Sequence, residues 1–185
     1  MAAETTKIEL GYTAPDFKLL DTVTDELKSL ADVKGEKATV VMFICNHCPY
    51  VIHIYKELIK VANEYRPKGV GFIAISSNDI IHYPADSPDK MKKFATSTGF
   101  PFPYLYDESQ EVAKAYHASC TPDISVFDSH LKCVYRGRLD ASTHKNDNVN
   151  DGKDLRNALD AILANQPISE PQYPSIGCSI KWKAE

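Results

Sequence analysis

The sequence predicts an α/β fold, a central mixed sheet flanked by helices on both faces, and three observations carry that prediction. Residues 38–44, Ala-Thr-Val-Val-Met-Phe-Ile, form an apolar, β-branched run with the length of a fully buried strand. The period then changes: Val51, Tyr55, Leu58, Ala62 and Tyr65 recur at intervals of three and four, with Ile52 and Ile59 beside them and His53, Lys56, Lys60 and Asn63 opposite, as in an amphipathic helix. Residues 70–76, Val-Gly-Phe-Ile-Ala-Ile-Ser, read as a second buried strand, and strand, helix, strand in that order requires parallel neighbours and a crossover.

The other elements follow in order. Residues 1–13 are polar and expected to be loosely held, as chain ends usually are. Residues 17–20 suggest a short strand, with a turn at Asp21 and a second extended piece near Leu27. Residues 32–37 are a polar connector into the first buried strand, and Pro67-Lys68-Gly69 ends the helix. Residues 78–86 read as a loop. Ser87-Pro88-Asp89 supplies an N-cap, a proline for the first helical position and a first-turn acid; Gly99 stops that helix, whose Met91, Phe94 and Ala95 face the core. The prolines of residues 100–106 exclude helix there. Ser109 can cap a short helix carrying Val112, Ala113 and Tyr116 inward. Residues 124–127 and 131–136 form a hairpin around Asp128-Ser129-His130. Residues 140–150 are polar and aperiodic. Asp151 caps a last helix with Leu155, Ala158, Leu159, Ile162 and Leu163 on one face. Residues 165–185 read as an extended tail with Pro167, Pro171 and Pro174, anchored by Ile176, Ile180 and Trp182.

The whole chain sets limits on function. Its 185 residues, 43% of them hydrophobic, suit a single domain with a substantial core. A net charge of −4 without a basic stripe argues against nucleic acid as a partner. No apolar run approaches the ~20 residues that span a bilayer, which argues against a membrane partner. Residues 1–7 lack the basic and apolar segments of a secretory signal, so a cytoplasmic setting is expected. In that reducing compartment, five cysteines with one close pair point to catalysis and not to a disulfide framework.

The close pair is Cys45-Asn46-His47-Cys48-Pro49, placed where a buried strand turns into a helix, with Pro49 suited to a first helical turn. Unpaired N–H groups and the partial positive charge there favour a thiolate over a thiol. Cysteine pKa values at such positions fall from roughly 8.5 into the range of about 3.5–7.5, and the thiolate is the nucleophile. Side chains three residues apart on that turn lie ~5–6 Å apart at Cβ, close to bridging distance, so the pair can open and close as a two-electron switch. Half of a zinc site is the rival reading, but Cys120, Cys133 and Cys178 are isolated and no second Cys-x-x-Cys or His pair accompanies them. His47, between the cysteines, is best placed to tune them: as a cation it would stabilise the thiolate.

Ala14-Pro15-Asp16-Phe17, the cysteine motif, Thr121-Pro122-Asp123 before a strand, and the tail Ser175-Ile176-Gly177-Cys178-Ser179-Ile180-Lys181-Trp182 together resemble the redoxin branch of the thioredoxin fold. That branch holds the alkyl hydroperoxide reductase and thiol-specific antioxidant proteins, and the chain looks most like a peroxiredoxin-like subgroup with a thioredoxin-type cysteine pair. The resemblance implies a thioredoxin-like fold and a cis Thr121–Pro122 bond facing the pair, its backbone free to pair with an extended substrate. It implies thiol–disulfide exchange, with Cys45 the more exposed, attacking thiolate and Cys48 resolving, and no cofactor beyond the redox-active disulfide. The alternative is a thiol peroxidase in which Cys48, followed by Pro49, attacks a hydroperoxide, Cys45 standing where peroxiredoxins place a threonine. A third reading is a copper-binding chaperone-like protein without turnover, although related copper chaperones space their cysteines one residue further apart. Partners would be a protein disulfide or hydroperoxide and an electron donor of thioredoxin or glutathione type. Cys120, expected beside the motif, reads as an accessory thiol or a buried bystander; Cys133 as packing; Cys178 as a resolving thiol or a tail residue without a role. Arg136, with Arg138, reads as a peroxide-holding cation or a surface arginine.

Overall fold

A computed structural model of the chain describes residues 2–184. In chain order its elements are β1 (Ala2–Glu4), β2 (Lys18–Asp21), β3 (Glu26–Ser29), α1 (Leu30–Val33), β4 (Ala38–Phe43), α2 (Pro49–Tyr65), β5 (Val70–Ser76), α3 (Pro88–Thr98), β6 (Tyr104–Tyr106), α4 (Glu111–Ala115), β7 (Cys120–Thr121), β8 (Asp123–Asp128), β9 (Cys133–Gly137), α5 (Lys153–Leu163) and β10 (Ile176–Ser179). Short 3-10 turns occupy Arg66–Lys68 and Pro84–Asp86. Among the described residues, no helix is long and apolar enough to cross a membrane.

The main sheet runs β3-β2-β6-β5-β4-β8-β9. β4 lies between β5, parallel from Ala38↔Val70 to Phe43↔Ile75, and β8, antiparallel from Ala38↔Asp128 to Phe43↔Asp123. Both of its faces are covered, which is why its sequence is apolar without alternation. Val40 and Met42 pack in one core with Val51, Leu58 and Val61 of α2, Met91 of α3 and Leu155 and Leu159 of α5. Val41 and Phe43 pack in a second core with Ile73, Ile75, Leu30 of α1 and Ala113 of α4. The mixed sheet with helices on both faces is therefore the predicted fold, β8–β9 is the predicted hairpin, and the two extended pieces expected near residues 17–20 and Leu27 are β2 and β3, paired antiparallel.

Several local expectations need correction. The buried face of α2 is Val51, Ile54, Leu58, Val61, Ala62 and Tyr65, whereas Ile52 is exposed. The apolar stripe is rotated slightly, and it admits Glu57 because Arg156 and Lys60 bond the carboxylate at 2.8 and 2.9 Å. The polar connector begins as the helix α1: Ser29 Oγ accepts from the Asp32 N–H while the Asp32 carboxylate accepts from the Ser29 N–H, a reciprocal cap with aspartate in the usual glutamate position. Ser87 precedes α3 without a side-chain cap bond, and Gly152 is the N-cap of α5, with Asp151 Oδ1 accepting from the Lys153 N–H at 3.0 Å. Gly99 does end α3, with φ +72°.

The ends of the chain differ most from expectation. Residues 2–4 are β1 and the tail contains β10, and the two join β7 in a separate antiparallel sheet of order β1-β10-β7. Ala2 lies opposite Cys178, and Cys178 opposite Thr121. Beyond the strand, the Ile180 N–H donates to Ser119 O at 3.0 Å, the Asp79 N–H donates to Lys181 O at 2.8 Å, and the Lys181 N–H donates to Asn78 Oδ1 at 2.9 Å. Of the three expected anchors only Ile180 is buried; Ile176 and Trp182 are exposed, and backbone hydrogen bonds hold the tail instead.

Candidate active site

Cys48 is the N-cap residue of α2, with Pro49 at the first helical position. Cys45 follows the end of β4, after Ile44, whose N–H donates to Ile75 O at 3.0 Å. Both cysteines thus sit outside the carboxyl ends of the two central parallel strands, where open α/β sheets form their crevices.

A carboxylate that sequence patterning passed over organises the loop between them. Asp86, fully buried, accepts from the Asn46 N–H at 2.8 Å and Asn78 Nδ2 at 2.8 Å, and pairs with His47 Nδ1 at 2.6 Å. Tyr104 donates to Asn46 Oδ1 at 2.9 Å, and the His47 ring stacks on Tyr83 with an interplanar angle of 6°. Asp86 lies 40 residues from Asn46 in a segment read only as loop, so no local signal reveals it. The His47 Nδ1 is thus aimed at the Asp86 carboxylate and not at either sulfur.

The sulfurs form a group of three. Cys45 and Cys48 are close enough for the ionisation of each to bear on the other. Cys45 Sγ is 3.4 Å from Thr121 Oγ1, and Cys48 Sγ is 3.2 Å from Thr121 O and 2.7 Å from Cys178 Sγ. The tail thus brings Cys178, expected either as a resolving thiol or as a tail residue without a role, against the Cys48 sulfur. Cys45 is 1% exposed and Cys48 0%, so the expectation of a more exposed Cys45 does not hold; Cys178 is half-buried.

The donors around it pull the Cys48 thiol down to about 4: the Cys45 thiol first, then Cys178 and the Val51 N–H, together outweighing burial. As a thiol Cys48 would donate to Thr121 O, so that carbonyl opposes ionisation, but against it stand the Cys45 and Cys178 thiols and the Val51 and Cys178 N–H groups. Cys45 is pushed well above the usual thiol range by donating to Cys48, by burial and by the Asp86 carboxylate. Burial, and donation to Cys48, push Cys178 up to about 12. Cys48 is therefore the thiol of the three whose ionisation its surroundings favour.

Two other expected groups stand apart. Cys120 is buried, pushed up to about 12 by that burial, and its Sγ donates to Pro122 O at 3.6 Å, a packing thiol beside the loop. Arg136 is neither a surface arginine nor free to hold a peroxide. Its guanidinium donates to Thr6 O, Tyr116 O, Ser125 Oγ, His117 O and the Asp123 carboxylate, which uses all five N–H groups inside the protein.

The Thr121–Pro122 bond is cis, as expected. The backbone beside it is not free, however: β10 occupies the β7 edge. Gly177 permits this, since a Cβ there would lie 1.9 Å from Thr121 O. Next to the loop is a cleft of about 260 Å³ lined by Tyr50, Pro122, Ser142, Thr143, Asn146 and Ile176. Cys45 Sγ, a ring nitrogen of His47 and a carboxylate oxygen of Asp86 lie within 4.8 Å of one another. Two of those three donors are already bonded to each other.

Residues 10–136 match the model of the AhpC/TSA family. The chain is 29% identical over 141 residues to the thiol-disulfide oxidoreductase ResA of Geobacillus kaustophilus, covering 74% of each chain. It is 56% identical to a conserved protein of Geobacillus kaustophilus known as a crystal structure, with a TM-score of 0.98 over 100% of this chain and 98% of that one. The thioredoxin domain of a thiol-disulfide oxidoreductase from Bacteroides vulgatus superposes with a TM-score of 0.63 at 18% identity, over 83% of this chain and 99% of that one, which shows the thioredoxin-like fold.

Proposed function

This chain belongs to the AhpC/TSA family, and on that premise we propose that it is a thiol–disulfide oxidoreductase of the redoxin type, exchanging disulfides through Cys45 and Cys48. The observation that carries the reading is the Cys48 sulfur at the N-cap of α2, 2.7 Å from Cys178 Sγ and 3.2 Å from Thr121 O beside the cis Thr121–Pro122 bond, at a helix head that favours a thiolate. Cys48 attacks a substrate disulfide, forming a mixed disulfide and expelling one substrate thiolate. Its charge is then gone, and with it the main reason that Cys45 keeps its proton. Thr121 Oγ1, 3.4 Å away, can donate to the emerging Cys45 thiolate. The first expelled substrate thiolate takes the Cys45 proton, and Cys45 then attacks Cys48 Sγ, closing the pair and expelling the second substrate thiolate. The order of attack is the reverse of the one the sequence resemblance implies, because the donors converge on Cys48.

No cofactor beyond these thiols takes part in the proposed cycle. A thiol donor of thioredoxin or glutathione type would reopen the disulfide, and an odd cysteine set with one close pair suits the reducing cytoplasm.

A second reading, thiol peroxidase, shares the Cys48 thiolate. Two features weigh against it: Cys45 replaces a hydroxyl donor with a weaker thiol donor, and Arg136 has no N–H left for a peroxide. Copper binding without turnover would require His47 Nδ1 to leave Asp86. The test is stopped-flow mixing of reduced protein with a protein disulfide and, separately, with hydrogen peroxide at equal concentration. The disulfide should react faster, and Cys48→Ala should abolish its reaction. Faster peroxide consumption, or exchange that survives Cys48→Ala, would overturn the reading.

A further inference from the structure

We propose that Cys178 is a third redox-active thiol, carried on a tail strand that lies on the substrate's own pairing edge, and that it resolves Cys48 adducts by forming a Cys48–Cys178 disulfide. The inference rests on the exchange reading above and extends it to the tail.

Three independent observations carry it. The Cys178 and Cys48 sulfurs are 2.7 Å apart, about 0.7 Å beyond the ~2.05 Å of a disulfide bond, so closure needs little movement. The register is specific: Cys178 lies opposite Thr121, whose carbonyl is 3.2 Å from the same Cys48 sulfur. A one-residue slip would turn the thiol to the other side of the strand. Gly177 then allows an approach that any side chain would block, its absent Cβ falling 1.9 Å from Thr121 O and 2.4 Å from Thr121 C. The tail is shaped to reach the thiolate.

The same geometry explains how sealed sulfurs meet a substrate. An extended peptide adding to the β7 edge beside Pro122 would make the main-chain bonds that β10 now makes, so substrate and tail exclude each other. Substrate binding lifts β10, and return of β10 brings Cys178 onto the mixed disulfide.

The electrons balance along this route. The Cys48 thiolate attacks the substrate disulfide RS–SR′, giving Cys48–S–SR and R′S⁻. R′S⁻ takes the Cys178 proton and leaves as R′SH. The Cys178 thiolate then attacks Cys48 Sγ, forming Cys48–S–S–Cys178 and releasing RS⁻. Two protein sulfurs are oxidised by two electrons, and the substrate disulfide is reduced to two thiols. For return, a donor thiolate attacks Cys178, the one half-exposed sulfur of the three, and Cys48 departs as the favoured leaving thiolate. Cys45 can also attack Cys48 to move the bridge to Cys45–Cys48, freeing Cys178.

The test uses the full chain with Cys45→Ala, which removes the other resolving thiol, and one equivalent of the aromatic disulfide 5,5′-dithiobis(2-nitrobenzoate). The expected result is release of two thionitrobenzoate anions per chain and a non-reduced digest joining the Cys48 and Cys178 peptides. Cys45→Ala/Cys178→Ala should stop at one anion, with the aromatic thiol retained on Cys48. Retention on Cys48 in Cys45→Ala alone, or a bridge from Cys48 to Cys120, would overturn the proposal while leaving exchange at Cys48 intact. If Cys48→Ala releases the anions as fast as the wild type, it is the exchange reading that fails. Should the double variant not fold, wild-type protein quenched with acid at successive times after oxidation decides between the two bridges: a Cys48–Cys178 peptide pair that precedes Cys45–Cys48 supports the proposal, and Cys45–Cys48 as the sole bridge from the earliest time refutes it.

Discussion

Removing the tail thiol should make Cys48 a weaker acid. Cys178 Sγ is 2.7 Å from Cys48 Sγ, and its donation is one of the causes holding Cys48 at about 4. Hydrogen bonds to charged acceptors contribute ~1.5–3 kcal/mol, and a thiol, as a weak donor, belongs at the lower end. At 1.36 kcal/mol per pKa unit, Cys178→Ala should raise the Cys48 midpoint by about 1 unit. The assay is thiolate ultraviolet absorbance of reduced protein against pH. Burial pushes Cys120 and Cys133 up to about 12 and about 11, so the step at low pH belongs to Cys48. The Cys45→Ala variant should show a rise at least as large, Cys45 being the first cause of the depression. A low-pH step that stays put in Cys178→Ala would show that the tail thiol does not hold the thiolate, and a downward shift would reverse the sign of the argument.

Four further outcomes are expected. Gly177→Ala puts a Cβ into Thr121 O and should lift β10, destabilising by ~1–3 kcal/mol and speeding alkylation of Cys48 and Cys178 by iodoacetamide; an unchanged alkylation rate would contradict the close approach. Asp86→Asn leaves one carboxamide oxygen where a buried carboxylate meets three partners, and urea unfolding should register a loss of about 1–3 kcal/mol. Arg136→Met strands the buried Asp123 carboxyl and should cost ~3–5 kcal/mol in the same assay, with peroxide reactivity per folded molecule unchanged. Because Cys48 is depressed from 9.0 to about 4 in the fold, the stability of reduced protein should be greatest near the upper value and decline as pH falls toward the lower one. The protein with Cys48 in a disulfide should lack that slope in denaturant midpoints against pH.

The framework of the molecule is written in its sequence. β4, α2 and β5 were legible because a doubly covered strand must be apolar throughout and a half-covered helix must repeat its apolar face. Covalent spacing kept Cys45 and Cys48 together in the junction between β4 and α2, and the Thr121–Pro122 loop was legible by resemblance. Tertiary structure decided how that pair is used. Asp86 reaches Asn46 and His47 across 40 residues of sequence, and Cys178 reaches Cys48 across 130, so neither contact leaves any local period to read. Arg136 likewise shows as one cation after a hairpin until its five partners are assembled around it. Local backbone preferences and burial patterns run along the chain, whereas the ionisation of a sulfur depends on the groups that surround it, and those meet only when the tail strand β10 closes on the β7 edge.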